Sequence, residues 1–307
     1  MSHKPYELMK GIYPAALTMF DAQGKLDEQA TWNHADWLVR QGVHGLVAAG
    51  TSGEFIALDD RERCRVIEIV IDAAQGRVPV IAGTGYYSTH QTIAATQWAE
   101  AAGADAALVI LPYYQKPPKP AVLEHYRLLH QNTNLPILVY NNPSNSACEE
   151  LKPWEMADLA QKGLIHGVKS TMATTAPVVD LKVLCPQSFR VFYGSFMAGL
   201  QGLLAGADGW ISGFLNFMPA EAVELYQACC VEESVEKARQ IWYRMVPFVQ
   251  LYFHPPHGPA ADLPLWRAGL ELRGQHGGYS RPPFFPITQE QRQDLAYVME
   301  QVGLLKV

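Results

Sequence analysis

The sequence predicts an α/β fold, namely a (β/α)₈ TIM barrel with a C-terminal α-helical appendage. Three observations lead to this prediction. The chain has 307 residues, of which 49% are hydrophobic and 18% charged, as is typical of a globular protein with a large core. Short apolar runs of strand type alternate with amphipathic segments over most of the chain. After residue 231 the strand-type runs stop, and only helical patterns follow.

Eight apolar runs are candidates for strands, and their first residues lie 19 to 34 positions apart. They span residues 12–17, 45–48, 79–82, 106–110, 136–140, 165–169, 190–193 and 209–211. Between them, apolar spacings of three and four indicate helices, for example at residues 28–41, 61–75, 89–102, 120–131 and 220–230. This alternation favours parallel strands with right-handed crossovers. The number of units and their combined length agree with a barrel of about 250 residues.

We divide the chain into a barrel domain, residues 1–231, and a C-terminal helical domain, residues 232–307. In the second part, residues 232–252, 263–272 and 289–302 have helical patterns, separated by segments rich in proline and glycine. A doubly wound open sheet is the alternative to the barrel. Its dinucleotide fingerprint, GxGxxG between the first strand and the first helix, is absent from this sequence, so the barrel is favoured.

Charge and composition exclude several kinds of partner. The net charge is −6, the pI is near 5.9, and no basic run exceeds two residues, which leaves no electrostatic footprint for nucleic acid or an anionic membrane. No apolar stretch approaches about 18 residues, and the first residues lack a signal-peptide pattern. The five cysteines include no CxxC spacing, which favours reduced thiols. We therefore expect a soluble, cytoplasmic protein.

The candidates for chemistry are polar residues at the carboxyl ends of the strands, where barrel active sites lie. Most lysines fall in loops or on helix surfaces, where a solvated charge is the simpler interpretation. Lys169 instead closes the apolar strand in IHGVKST. A structural lysine there would need a buried carboxylate, which its neighbours Ser170 and Thr171 do not supply. A desolvated amine is more readily neutral, as a Schiff-base nucleophile must be. On position alone, both interpretations stay open.

Three further features follow neighbouring strands. Tyr140 ends the strand before that of Lys169, where a phenol is placed for proton transfer, although on position alone a core aromatic bonded to a loop amide is the favoured interpretation. The segment GTSGE at 50–54 has glycines, amides and hydroxyls that suit a carboxylate, and GTG at 83–85 repeats this pattern. Loops of small residues before a helix are common, so neither turn alone identifies a ligand.

Taken together, five motifs resemble, in order and spacing, those of the dihydrodipicolinate synthase/N-acetylneuraminate lyase family. They are GTSGEF at 50–55, GTG at 83–85, LPYYQKP at 111–117, YNNP at 140–143 and GVKS at 167–170. The resemblance runs through the whole barrel, and RPP at 281–283 also resembles the family's C-terminal segment. It implies a barrel with a helical appendage, usually a homotetramer, that forms a lysine Schiff base with pyruvate or another 2-oxo acid and needs no other cofactor.

The resemblance also implies roles for individual residues. Lys169 would be the Schiff-base lysine and Tyr140 the tyrosine that relays protons. Thr51 would link Tyr140 to Tyr114, which in the family reaches the site from a neighbouring subunit. Without the resemblance, Tyr114 would be interpreted as part of a surface loop pair. The residues implied to contact the substrate are Gly50, Thr51, Ser52, Asn145 and Ile211.

Asn145 is the point where this sequence departs from the synthase pattern. Synthases of the family carry an arginine two residues after the proline of the YNxP motif, where it pairs with the carboxylate of aspartate semialdehyde. An asparagine there removes a charge-assisted contact of about 1.5–3 kcal/mol per hydrogen bond. The departure favours a hydroxylated 2-oxo acid, a keto-deoxy sugar acid or a cyclic imino acid such as hydroxy-pyrroline carboxylate, which family members cleave, dehydrate or deaminate through the same lysine imine.

We therefore predict a Schiff-base lyase and keep three alternatives. The first is a true 4-hydroxy-tetrahydrodipicolinate synthase of lysine biosynthesis that tolerates Asn145. The second is a non-catalytic barrel that senses a 2-oxo acid, which the placement of both Lys169 and Tyr140 argues against. The third is a metal-dependent barrel lyase. His254 and His257 flank two prolines with no carboxylate or cysteine ligand near in sequence, so we expect a structural loop and no metal.

Overall fold

A computed structural model describes residues 9–305, and in this range eight parallel strands alternate with helices around a barrel. The predicted fold class is confirmed. The strands are β1 (Gly11–Pro14), β2 (Leu46–Ala48), β3 (Val80–Gly83), β4 (Ala106–Ile110), β5 (Ile137–Asn141), β6 (Gly167–Ser170), β7 (Arg190–Tyr193) and β8 (Gly209–Ser212). β1 pairs with β8, and the order then runs back through β7 to β2. The ring closes between β1 and β2 through a bridge from Ala15 to Val47.

Within residues 9–305, eight α-helices surround the barrel and three more form the C-terminal appendage. They are α1 (Glu28–Arg40), α2 (Asp60–Ala74), α3 (Thr89–Ala102), α4 (Lys119–His130), α5 (Pro153–Gln161), α6 (Ala176–Leu184), α7 (Gly199–Leu204), α8 (Pro219–Tyr226), α9 (Val235–Phe253), α10 (Asp262–Leu272) and α11 (Gln289–Gln301). Side-chain caps stabilise the first turns of several helices. At α1, Asp27 accepts a hydrogen bond from the Ala30 backbone amide, and at α2, Asp59 and Glu62 form a capping box. No helix of the described part of the chain is long and apolar enough to cross a membrane.

The structure corrects some predicted boundaries. The first strand ends at Pro14 rather than at residue 17, because beyond it only Ala15 keeps a bridge to β2. The helix predicted from residue 232 begins at Val235, where the Ser234 side chain caps the Lys237 amide. A π-helical turn, Gln227–Val231, separates it from α8. The short helices α5, α6 and α7 complete the barrel units for which the sequence analysis named no helix.

Alternate residues of the strands face the barrel interior and the surrounding helices. Tyr13 of β1 and Phe192 of β7 meet edge to face inside the barrel, with ring centroids 5.1 Å apart. Trp210 of β8 faces outward and packs on Trp242 of α9, with ring centroids 6.2 Å apart. The appendage is thus packed against the outside of the barrel at β8.

A buried ion-pair network also joins the appendage to the barrel. Glu54, after β2, accepts through Oε1 from Arg267 Nη2 of α10 at 2.6 Å and through Oε2 from the Arg281 backbone amide at 3.0 Å. The Glu54 and Arg267 side chains are only 3% and 4% exposed. The remaining Arg267 donors reach two backbone carbonyls and a serine hydroxyl. We call Glu54, Arg267 and Arg281 the junction cluster; it is a fully paired set of charges.

Candidate active site

Lys169 lies inside the barrel near the carboxyl end of β6. It is 4% exposed, and no carboxylate within residues 9–305 forms an ion pair with it. The strand register places Lys169 beside Tyr140 of β5 and Phe192 of β7. Gly194, after β7, leaves room for the lysine, because a Cβ there would lie 3.1 Å from Lys169 Cε. A buried amine without a counter-ion is costly for stability, which favours a chemical role for it.

The Tyr140 phenol lies beside this amine. Lys169 Nζ sits over the tyrosine ring, 4.0 Å from its centroid, in a cation–π arrangement. Burial raises the pKa of the Tyr140 hydroxyl, but the Lys169 charge and polar contacts with Thr51, Lys169 and Asn142 outweigh burial and lower that pKa below its ordinary value. The amine and the phenol are therefore neighbours, and the charge of one affects the ionisation of the other.

The GTSGE turn after β2 begins at the buried Gly50 and brings Thr51 to the same end of the barrel. Ala49, just before this turn, and Glu54, its last residue, adopt positive φ angles of 50° and 54°. This conformation is strained for residues other than glycine. Thr51 Oγ1 is buried, and no hydrogen bond of good geometry from the described residues reaches it. It still lies close enough to the Tyr140 hydroxyl to help lower the pKa of that phenol.

Ser52, the next residue, packs against the end of β8. It is 8% exposed, and a Cβ on Gly213 would lie 2.2 Å from Ser52 Oγ, so a residue larger than glycine would displace the serine. Ile211 of β8 is fully buried. It faces the barrel interior, since its neighbour Trp210 faces outward. The GTSGE turn and the end of β8 thus form one wall of the barrel mouth.

Asn145 and Tyr114 are not brought to the lysine within this chain. Asn145 is exposed in the loop after β5, and only its backbone amide is bonded, to the Asn142 carbonyl at 3.2 Å. Tyr114 is 94% exposed and has a φ of 76°, which is uncommon for a bulky residue. Tyr113, beside it, packs edge-on against Phe55, with ring centroids 6.0 Å apart. The Tyr114 ring therefore points away from the barrel that carries it.

The sequence analysis gave no role to Asn142, yet the structure places it at the phenol. Its Nδ2 donates a 2.9 Å hydrogen bond to Tyr140 Oη, and both residues are buried. The available signal was the pair of asparagines after Tyr140 in YNNP, but Asn142 lies just beyond β5, where strand alternation no longer applies. Asn141 lies between them and bonds the Leu151 backbone instead. We call Thr51, Tyr140, Asn142 and Lys169 the mouth cluster.

The second turn of small residues, GTG after β3, has a structural partner. Arg63 of α2 donates hydrogen bonds to the carbonyls of Gly83 and Gly85 at 2.7–3.1 Å. Its guanidinium lies between two aromatic rings, 4.7 Å from the centroid of Phe55 and 4.3 Å from that of Tyr86. The carbonyls of this turn are therefore held by a buried cation.

Across residues 9–305, no three or more His, Cys, Asp or Glu side chains are grouped so that they could hold a metal ion. His257 lies 2.9 Å from a carboxylate oxygen of Asp294, through Nδ1. His254 ends α9, where its backbone amide donates to the Gln250 carbonyl at 2.8 Å. Both histidines of the HPPH segment thus have contacts within the appendage.

Comparisons with known proteins agree with this geometry. A family model described as the dihydrodipicolinate synthetase family matches residues 8–302. The 4-hydroxy-tetrahydrodipicolinate synthases of Thermodesulfovibrio yellowstonii and Syntrophus aciditrophicus are 34% and 35% identical over 299 and 302 residues, covering 97% of this chain and 100% of each relative.

Solved structures show the same similarity. Dihydrodipicolinate synthase from Aquifex aeolicus has a TM-score of 0.88 at 30% identity, over 97% of this chain and 100% of that one. A prophage protein of the dihydrodipicolinic acid synthase family from E. coli K12, solved in complex with pyruvate, has a TM-score of 0.89 at 30% identity. That match covers 97% of this chain and 99% of the other.

Proposed function

The chain belongs to the dihydrodipicolinate synthetase family, whose members are lyases that use a lysine Schiff base, and we propose that Lys169 is that lysine here. The observation that carries the proposal is the setting of Lys169: buried, unpaired and with its Nζ over the Tyr140 ring. We propose pyruvate or a related 2-oxo acid as the substrate class, which the pyruvate complex of the E. coli relative supports.

In the proposed reaction, the neutral Lys169 amine attacks the 2-oxo carbon, and the resulting carbinolamine loses water to give a protonated imine. The imine nitrogen then draws electrons from the bond that is made or broken. Tyr140 moves the protons, which its contact with the amine and its lowered pKa support. The electron sink is the imine itself, so this scheme requires no metal or organic cofactor.

The substrate carboxylate is proposed to bind at Thr51 and Ser52, next to Gly50. The chain carries a net charge of −6, so the overall field does not attract an anion and binding depends on local groups. Thr51 Oγ1 is buried without a partner among the described residues, as a group reserved for a ligand would be. Ile211 would give this end of the site an apolar wall.

Tyr114 is proposed to act in a neighbouring copy, where it would meet Thr51. Its 94% exposure and positive φ support this role, because a strained, exposed aromatic ring is expected where a partner covers it. We propose a homotetramer. Further support comes from exposed apolar side chains on two neighbouring helices of the barrel. Val179 and Val183 of α6 are 47% and 77% exposed, and Leu204 of α7 is 48% exposed.

The bond that is made or broken depends on the distal part of the substrate. We propose that Asn145, at the rim, contacts that part through an uncharged amide, which favours a hydroxylated 2-oxo acid, keto-deoxy sugar acid or hydroxy-pyrroline carboxylate. The second candidate is 4-hydroxy-tetrahydrodipicolinate synthesis, which the names of the relatives at 34–35% identity favour. Coupled turnover of pyruvate with aspartate semialdehyde, compared with turnover of the other acids, separates the two.

Two further proposals concern organisation and location. We propose that residues 1–231 form the catalytic barrel and that residues 232–307 form a helical domain supporting it, for which the junction cluster is the evidence. We also propose a cytoplasmic location. All five cysteines are free thiols, which fits a reducing compartment.

Borohydride reduction in the presence of pyruvate tests the function. Reduction fixes the imine as a stable adduct, and peptide mass analysis is expected to find it on Lys169. Lys182→Met is the matched control, since that lysine pairs with Asp208 at 2.9 Å and its loss should leave the adduct intact. An adduct on another residue, or none with any 2-oxo acid tried, would refute the proposal. Turnover lost to a chelator would support the metal-dependent alternative, and adduct without turnover of any acid would support the sensor.

A further inference from the structure

We propose that Asn142 is a positioning residue for Tyr140: the hydrogen bond from its amide fixes the phenol so that the phenol proton points to Thr51 and the substrate. This inference rests on the proposed function, because it assigns a part in the same Schiff-base chemistry. Asn142 is 6% exposed, and its Nδ2 lies 2.9 Å from Tyr140 Oη. It would act through Tyr140, without contact with the reacting atoms.

The backbone after β5 holds the Asn142 side chain in this position. The backbone N–H of Asn142 donates to the Tyr140 backbone carbonyl at 3.1 Å. The backbone carbonyl of Asn142 accepts from the backbone amides of Asn145 and Ser146 at 3.2 and 3.1 Å. This tight turn returns the side chain to the phenol. Asn141 cannot replace it, because the Asn141 side chain is engaged with Leu151 on both its donor and its acceptor.

A count of donors and acceptors gives the direction of the phenol proton. A tyrosine hydroxyl has one proton and two lone pairs, an amide nitrogen only donates, and a lysine ammonium only donates. Asn142 therefore occupies a lone pair of Tyr140 Oη, and the Lys169 ammonium can only take the other. The proton is left for an acceptor, and Thr51 Oγ1 is a buried oxygen nearby with no partner among the described residues. While the Lys169 amine is protonated and no substrate is bound, the order of donation therefore runs from Asn142 through Tyr140 to Thr51.

The same hydrogen bond assists when Tyr140 gives up its proton. In carbinolamine dehydration, the C–O bond breaks with its electron pair on oxygen, and the tyrosine proton joins that oxygen to make water. The nitrogen lone pair forms the C=N bond, so a phenolate and an iminium cation remain. The Asn142 N–H stabilises the phenolate until a proton returns, and a hydrogen bond to a charged oxygen is stronger than one to a neutral oxygen.

Trapping of the pyruvate imine by cyanoborohydride, measured as a rate against pH, tests the inference. The variants are Asn142→Ala, Asn142→Asp, Tyr140→Phe and the double variant Tyr140→Phe with Asn142→Ala. We expect Asn142→Ala to slow trapping at least about tenfold. In the plot of rate against pH, the change that is due to ionisation of the Tyr140 phenol should move to higher pH. Asn142→Asp keeps nearly the same side-chain size. It should slow trapping and shift the pH profile more strongly than Asn142→Ala, since a negative carboxylate repels the phenolate.

The double variant separates positioning from a general structural effect. If Asn142 acts through the phenol, Asn142→Ala adds less than about a twofold loss in the Tyr140→Phe background. Asn132→Ala is the matched control: its amide bonds the Leu128 carbonyl at 2.8 Å on the surface, and the variant should keep both rate and pH profile.

Two results would overturn the inference alone while wild type is still trapped on Lys169. One is an unchanged pH profile in Asn142→Ala, and the other is an equal loss in both backgrounds. Absence of an adduct on Lys169 in wild type would instead overturn the proposed function, and this inference with it.

Discussion

The mouth cluster and the junction cluster are both buried, charged and attached to the same turn after β2, yet they are built in opposite ways. In the junction cluster, Glu54 faces Arg267 at 2.6 Å, and the other donors of that arginine also find acceptors. In the mouth cluster, the Lys169 amine faces an aromatic ring with no carboxylate partner in the described chain. No hydrogen bond of good geometry from the described residues reaches the Thr51 hydroxyl oxygen. The two cations are buried to a similar extent, since Lys169 is 4% exposed and Arg267 is 3% exposed.

The difference teaches how to distinguish a structural from a chemical buried charge in this fold. Unpaired buried polar groups are costly and are retained where a ligand completes them. The junction cluster needs nothing further and holds the turn in place. The mouth cluster lacks an anion, and a 2-oxo acid would bring one whose oxygens accept hydrogen bonds. The comparison predicts that changes at the mouth affect rate, whereas changes at the junction affect stability.

The largest expected effect is that of Lys169→Met on turnover. Without the amine no imine can form, and we expect the rate to fall at least about 10⁴-fold. The free energy of unfolding should not decrease, because the substitution removes a buried cation that has no counter-ion. Steady-state kinetics and urea denaturation measure the two quantities. A variant that kept its rate, or that unfolded much more easily, would place Lys169 with the structural charges.

The next effect is that of Arg267→Met on stability. The substitution leaves Glu54 as a buried carboxylate without its cation, and breaking a buried pair in this way costs about 3–5 kcal/mol of unfolding free energy. Urea denaturation checks it. Arg65→Met is the control, since its pairs with Glu28 and Glu68 are on the surface and should contribute at most about 1 kcal/mol. Equal losses in the two variants would contradict the distinction between the clusters.

The smallest effect is that of Thr51→Val. Turnover should fall about 10- to 100-fold, because the hydroxyl that receives the Tyr140 proton is lost. Unfolding free energy should change little, since no hydrogen bond of good geometry joins Thr51 Oγ1 to the described residues.

Thr96→Val is the matched comparison for Thr51. Thr96 Oγ1 is buried in α3 and bonded to Thr84 Oγ1 at 2.8 Å and to the Thr92 carbonyl at 2.7 Å. This variant should lose about 1–3 kcal/mol of unfolding free energy and keep its rate. If the two threonine variants behaved alike in both measurements, the unpartnered oxygen would have no special role.

Sequence reasoning reached the barrel because strand spacing and the helical pattern are local signals. It also singled out Lys169, which is buried in the structure, because a lysine closing an apolar strand is anomalous without any knowledge of its surroundings. Short helices such as α7, with the sequence GLQGLL, escaped it, since six mostly apolar residues show no amphipathic period. The positive φ of Tyr114 also escaped it, because the backbone angles of a loop depend on tertiary packing.

Contacts that depend on the path of a turn, or on residues far apart in the chain, could not be predicted from the sequence. Asn142 reaches the Tyr140 phenol only because the backbone turns back after β5, and the letters NN do not tell which amide faces inward. Glu54 was visible as the last residue of GTSGE, but nothing local indicates that its partner is Arg267. A carboxylate in a glycine turn is equally consistent with a solvated loop. The structure alone distinguishes these possibilities.

The pairing of Glu54 also has a consequence for the order of events during protein synthesis. Its two partners, Arg267 and the Arg281 amide, lie 213 and 227 residues further along the chain. The ribosome therefore makes the GTSGE turn more than 200 residues before the groups that anchor it. A chain released before that point contains Lys169 and Tyr140 but leaves the Glu54 carboxylate without its cation. The turn that carries Thr51 is therefore anchored only after the segment from Arg267 to Arg281 has been made.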